Sequence, residues 1–198
     1  GHFLPNNFRS LDDWKPPLYV YSAIPSIAVF GLTDFATRFP SALYGVTAVL
    51  LTFFLVQELL ITKSIRERNV VALLSSLFLA ISPWHLQFSR ASFETNLSVT
   101  VTLAAVLTFL KSIRGSKKWF LVSSFLFGLA LFSYHSSRVV TPLLLVSLFL
   151  LNRKTLPSKK WLFGFISIYA IFFLFFIPIA TNPDAQIRFI VTNDLRVR

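Results

Sequence analysis

No cysteine occurs among the 198 residues, so neither a disulfide framework nor a thiolate-held metal site can be built. Methionine is absent too, even at position 1, and the sequence therefore reads as an internal or processed piece of a longer chain. Charge is scarce: 14% of residues are charged, 55% are hydrophobic, and mean hydropathy is +0.67. That balance excludes an ordinary soluble domain and points to the membrane class. Acidic residues are the scarcest charged group, eight against 19 Lys and Arg, giving a net charge of +11. A nucleic-acid binder would gather such charge on one soluble face; here it falls between apolar runs, which argues against that partner. The opening Gly1-His2-Phe3-Leu4-Pro5-Asn6 is polar and broken by proline, unlike a signal peptide. No internal repeat or low-complexity tract stands out.

What is present is a series of apolar runs. Residues 1–15 read as polar and irregular. Residues 18–31 are apolar but short and interrupted by Pro25, which predicts an interfacial or re-entrant helix, because a spanning helix needs about 20 apolar residues. Six further runs predict spans near 41–60, 70–88, 95–110, 119–134, 139–151 and 161–180, with Pro40 placed at the first turn of the first. The fold expected is an all-α polytopic membrane bundle with an outer-leaflet juxtamembrane helix. Its parts are a 1–40 extracytoplasmic segment, a 41–180 bundle and a 181–198 start of the next external loop. Loops 62–69, 111–118 and 152–160 carry 3, 4 and 4 Lys or Arg and alternate onto one side, which the positive-inside rule makes cytoplasmic. Trp14, Trp84, Trp119 and Trp161 fall at predicted span ends, where indoles prefer the interface.

The opposite ends carry isolated, mixed ionisable groups: Asp13 and Lys15; His85, Arg90 and Glu94; Tyr134, His135 and Arg138. Each alone is readable as an interface anchor, with long side chains snorkelling to water. Together, on one side of a membrane protein, they are candidates for a common site. Arg38 adds a cation at the outer end of a span, suited to a phosphate or a lipid headgroup. Arg138 can fork onto phosphate oxygens. His135 reads as a proton carrier or as a hydrogen-bonded packing residue. Glu94 lies four residues after Arg90, a spacing that pairs charges on a continuous helix. The three histidines show no metal-ligand spacing, so no metal site is read from the sequence.

An ordered set of motifs resembles the GT-C superfamily of polytopic glycosyltransferases that use polyprenyl-phosphate sugars. It is most similar to bacterial relatives of the protein O-mannosyltransferases and the lipid A aminoarabinose transferases. The carrying residues are Lys15-Pro16-Pro17-Leu18-Tyr19, the run Phe30-Gly31-Leu32-Thr33-Asp34-Phe35-Ala36-Thr37-Arg38-Phe39-Pro40-Ser41-Ala42-Leu43, Ser89-Arg90 with Phe93-Glu94, and Tyr134-His135-Ser136-Ser137-Arg138 with Pro142-Leu143. The resemblance covers about residues 1–150. It implies an enzyme of a bacterial-type plasma membrane, working on the extracytoplasmic face between a lipid-linked donor, such as a mannose carrier, and a protein, lipid or glycan acceptor. It puts Lys15 near the carrier phosphate, with Arg38, Arg90, Tyr134, His135 and Arg138 on donor phosphate or sugar, and Glu94 as a supporting acid. The family's catalytic base is an Asp some tens of residues before the Lys-Pro-Pro segment. Asp12 and Asp13 sit too close to Lys15 to match it, so Asp13 is expected as loop support and the base upstream of residue 1. On that reading the chain alone is inactive. No cofactor is firmly implied; a divalent cation between Glu94 and the upstream Asp is compatible with the resemblance. A transporter or flippase of lipid-linked sugars, or a homologue without its base, is the alternative. Transporters concentrate ionisable groups near the midplane, where these spans have almost none.

Overall fold

The computed structural model describes residues 8–10 and 13–180, with side chains described for residues 15–178. The expected 181–198 loop and Asp12 lie outside the described residues, as does the Asp13 side chain. The architecture is all-α apart from one short hairpin. Strands β1 (Phe8–Ser10) and β2 (Asp13–Lys15) pair antiparallel, with Phe8 opposite Lys15 and Ser10 opposite Asp13. The irregular segment expected up to residue 15 is thus partly a hairpin. Phe8 and Trp14 belong to the aromatic class that favours strands, and the two-residue link makes the pairing local.

Helix α1 (Pro17–Phe30) begins with proline in its first turn, where the lost N–H has no helical partner anyway. It ends at Gly31, whose φ of 72° lies in the left-handed region that glycine enters without strain. Helix α2 (Asp34–Leu59) starts seven residues before the expected 41. Thr33 caps it by accepting from the Ala36 N–H at 3.1 Å, and Asp34 complements the helix dipole. Pro40 therefore lies inside the helix. Its ring leaves the Ala36 carbonyl without the usual donor, and the Ser26 hydroxyl of α1 donates to that carbonyl at 2.6 Å. The proline gap becomes an α1–α2 joint. Tyr19 strengthens it by donating to the Thr37 carbonyl at 2.8 Å.

Helix α3 (Ile65–Ile81) opens with a capping box between Ser64 and Glu67, so it begins within the basic loop and not at 70. The expected span to 88 is broken. Ser82 precedes Pro83, a step that disfavours helical backbone, and α4 (Pro83–Arg90) leaves at 58° to α3. Helices α5 (Glu94–Arg114), α6 (Lys118–Ala130), α7 (Ser137–Leu151) and α8 (Lys159–Ala180) complete the bundle. By length and composition α2, α5 and α8 can each cross a membrane, and the bent α3–α4 pair would make a fourth span. Helices α6 and α7, with 13 and 15 residues, extend about 20 and 22 Å at 1.5 Å per residue.

Helix α5 is the central post. One face, Leu97 and Val101, packs with Tyr19 of α1 and Ala130 of α6, joined by Leu18. Lower down, Phe109 of α5 meets Phe120 of α6, Phe149 of α7 and Phe165 of α8, in ring pairs with centroids 5.5–6.4 Å apart. The opposite face of α5 is polar and buried. Asn96 donates its amide to the Ser41 carbonyl at 2.8 Å and to Ser89 Oγ at 3.2 Å, and Thr100 donates to the Tyr44 carbonyl at 2.9 Å. Such interhelical bonds hold helices together where lipid supplies no hydrophobic drive. Asn96→Ala is expected to destabilise the bundle by about 0.6–1.7 kcal/mol, seen as a lower thermal midpoint in detergent; an unchanged midpoint removes Asn96 from the structural account.

Candidate functional site

The N-terminal end of α5 divides the candidate residues into two flanks. Residues 94, 97, 98 and 101 fall on one face of α5, while 96 and 100 fall on the other, about 200° away at 100° per residue. Contacts follow this division: Leu97 and Val101 meet α1 and α6, Ser98 bonds to Ser137 of α7, and Asn96 and Thr100 meet α2 and α4.

On the first flank, Lys15 ends strand β2 and is half-buried. Pro16 and Pro17 follow, both buried, which fixes the backbone from which Lys15 projects. Leu18, three residues on, packs into the α1–α5–α6 cluster. Glu94 lies one turn before Leu97 in that cluster and Tyr134 lies four residues after Ala130, so each, like Lys15, is a close chain neighbour of a cluster residue. Glu94 is only 6% exposed and forms no ion pair among the described residues. The Tyr134 and His135 rings are 6.3 Å apart, and the His135 carbonyl accepts from the Arg138 backbone N–H at 3.2 Å.

The short Ser98–Ser137 contact between hydroxyls ties the start of α7 to α5, and Arg138 follows it directly. Its guanidinium carbon lies 5.1 Å from the centroid of Phe176 on α8. Its Nε is buried without a hydrogen-bond acceptor among the described residues. Arg138 is thus a half-buried cation backed by an aromatic face and short of an anion. Nothing in the sequence singles out Phe176. It is one of 23 phenylalanines, 38 residues from Arg138, and no local pattern links the two.

On the second flank, Arg38 of α2 and Arg90 of α4 are both exposed and line one cleft of about 460 Å³ with Gln87, Ala91, Ser92 and Phe93. Ser92 donates to the Thr37 carbonyl at 3.1 Å, which holds the α4–α5 elbow against the start of α2. His85 lies further in and serves packing: its Nε2 meets the Gly45 carbonyl at 3.2 Å. The Arg90–Glu94 pair suggested by their spacing does not form. Helix α4 ends at Arg90 and α5 starts at Glu94, so the two are not on one continuous helix face. The ion pair recorded among the described residues is Glu58–Arg114 at 3.2 Å, far down the bundle where α2 ends and α5 ends. No three His, Asp or Glu side chains gather into a metal-binding group among the described residues, so these residues alone do not make up the oxygen cage of a hard cation.

The arrangement can do two things chemically. A half-buried cation such as Arg138 can stabilise an anionic leaving group, and the two arginines that share the second cleft can hold an anion. Comparison with curated proteins and with solved structures gives no match. A family model for dolichyl-phosphate-mannose-protein mannosyltransferase matches residues 14–181, a range that takes in Lys15, both flanks and every helix from α1 to α8. By that match, over most of its length, the chain belongs to the dolichyl-phosphate-mannose-protein mannosyltransferase family, membrane glycosyltransferases of the GT-C type.

Proposed function

We propose that this protein transfers a sugar, mannose or a related one, from a polyprenyl-phosphate carrier to an acceptor on the extracytoplasmic face of a bacterial-type plasma membrane. The observation that carries the reading is Arg138: a half-buried guanidinium, stacked on Phe176, whose Nε has no acceptor among the described residues. A carrier phosphate is the anion this position suits. Lys15 grips the same phosphate from the rigid Lys-Pro-Pro segment, and Tyr134 and His135 border the sugar. Arg38 and Arg90, on α2 and α4, line a cleft to which Lys15 and Arg138 do not contribute.

The reaction is a direct displacement with inversion. The acceptor oxygen forms a bond to the anomeric carbon, the bond from that carbon to the phosphate oxygen breaks, and its electron pair leaves with the phosphate. Lys15 and Arg138 stabilise the charge that develops there. The acceptor proton passes to a carboxylate base, with Glu94 as the supporting acid and Asp13 as loop support. Chain order supports the sidedness. If the bent α3–α4 pair and each of α2, α5, α6, α7 and α8 cross once, the basic loops 62–69, 111–118 and 152–160 share the cytoplasmic side. Lys15, the α4–α5 elbow and the α6–α7 link then share the outer one. Short α6 and α7 fit a bilayer that thins locally beside the site.

The full-length protein in liposomes, given synthetic polyprenyl-phosphate mannose and candidate acceptors, is expected to release polyprenyl phosphate and form a glycoside of inverted configuration. Translocation of the lipid-linked sugar with no new glycosidic bond would instead establish a flippase.

A further inference from the structure

The second flank holds a feature that the carrier-phosphate reading leaves unused. Arg38 and Arg90 come from different helices, 52 positions apart, yet line one cleft. Both are exposed, and neither forms an ion pair among the described residues. Two guanidiniums sharing a cleft repel each other, and an anion between them removes that cost while gaining charge-assisted hydrogen bonds. Gln87 adds an exposed amide to the lining.

The surroundings say what sort of molecule carries the anion. Helix α4 turns 58° away from α3, and its Trp84 and Leu86 are 74% and 48% exposed. Phe93, on the wall of the cleft, is 41% exposed. An exposed indole beside exposed apolar side chains on a bent helix marks the membrane–water interface, the depth at which lipid phosphates lie. The cleft therefore offers cations at phosphate depth with apolar walls next to them, a match for the head and upper chain of an anionic lipid. Arg38 and Arg90 project from α2 and α4, and neither Lys15 of β2 nor Arg138 of α7 lines their cleft, so the two pairs of cations are carried by different elements.

We propose that the Arg38–Arg90 cleft is a second anion site, which binds the phosphate head of a membrane lipid other than the sugar donor. It stands whether or not Lys15 and Arg138 hold the carrier. The test uses the full-length protein in phosphatidylcholine nanodiscs, with bound lipid counted by native mass spectrometry. The probes are dioleoyl phosphatidate and a polyprenyl monophosphate, added singly and together. Wild type is expected to retain one of each at once. Arg38→Gln with Arg90→Gln is expected to weaken phosphatidate binding roughly tenfold or more per arginine and to leave polyprenyl phosphate bound. Lys15→Gln with Arg138→Gln is expected to do the reverse. Retention of phosphatidate at wild-type affinity by the Arg38/Arg90 variant overturns the proposal. One-for-one displacement of phosphatidate by polyprenyl phosphate overturns it as well, since the cleft then belongs to the donor. If the Lys15/Arg138 variant keeps its polyprenyl phosphate, the carrier assignment fails and the second site remains.

Discussion

Lys15→Ala and Arg138→Gln, each in the full-length protein, are expected to lower the kcat of sugar transfer by about 10²–10³-fold. The argument is one of charge. The donor already carries phosphate charge, but breaking its bond to the sugar adds more to the departing oxygen. A cation aimed at that oxygen gains strength as the bond breaks, so its removal lowers kcat more than it raises KM. Arg138→Lys is expected to rescue little. An ammonium offers no planar fork and does not stack flat on Phe176 as a guanidinium does. Glu94→Gln tests the other pole of the site. Glu94 is 6% exposed and has no described ion-pair partner, so the isosteric amide keeps the packing while removing the carboxylate. Transfer is expected to fall by a similar factor with an unchanged thermal midpoint. Unaltered rates in both Lys15→Ala and Glu94→Gln would sink the assignment.

The sequence reveals the apolar interiors of these helices better than their ends. Hydropathy locates α2, α5 and α8 because their apolar runs are long, but a window of apolar residues begins only after the charged first turn has passed. Hydropathy therefore places the start of α3 at 70, although the Ser64…Glu67 capping box that starts it is written in the sequence. Pro40 misleads for a different reason. A proline inside a helix is tolerated when another donor serves the carbonyl it deserts, and here that donor is Ser26, on a different helix. The candidate residues are legible as types at span ends. Their grouping is not, because it depends on which face of α5 each neighbour occupies. Arg90 and Glu94 are close in sequence and separated by a helix break; Arg38 and Arg90 are distant in sequence and share a cleft. The Arg138–Phe176 stack spans the return from α7 to α8, which periodicity within either helix cannot reveal.

Gly128→Val is expected to destabilise the bundle by about 1–3 kcal/mol or more, the cost of overpacking a filled core. A Cβ at Gly128 would sit 2.4 Å from Phe172 Cγ, 2.5 Å from its Cδ2 and 2.8 Å from its Cβ. The clash reaches the root of the Phe172 side chain, so turning the ring does not relieve it. The ring is also held by Phe125 and Phe132 of the α6 side, with centroids 5.3 and 6.2 Å away. Relief must come from moving α8 away from α6. In a bilayer that is costly, since small residues that let helices approach closely are the main source of their attraction. The same movement carries Phe176, one turn beyond Phe172, away from Arg138. Activity should then fall even in the fraction that stays folded. Gly31→Ala provides the contrast. Nothing lies within 4 Å of its added Cβ, and the strain comes only from its φ of 72°. That variant should lose about 1–3 kcal/mol at the α1–α2 turn and leave the Arg138–Phe176 stack in place. Thermal denaturation in detergent, read beside transfer activity, separates the two. A wild-type midpoint for Gly128→Val would mean that α6 and α8 do not pack through this glycine, and the support proposed for Arg138 would go with it.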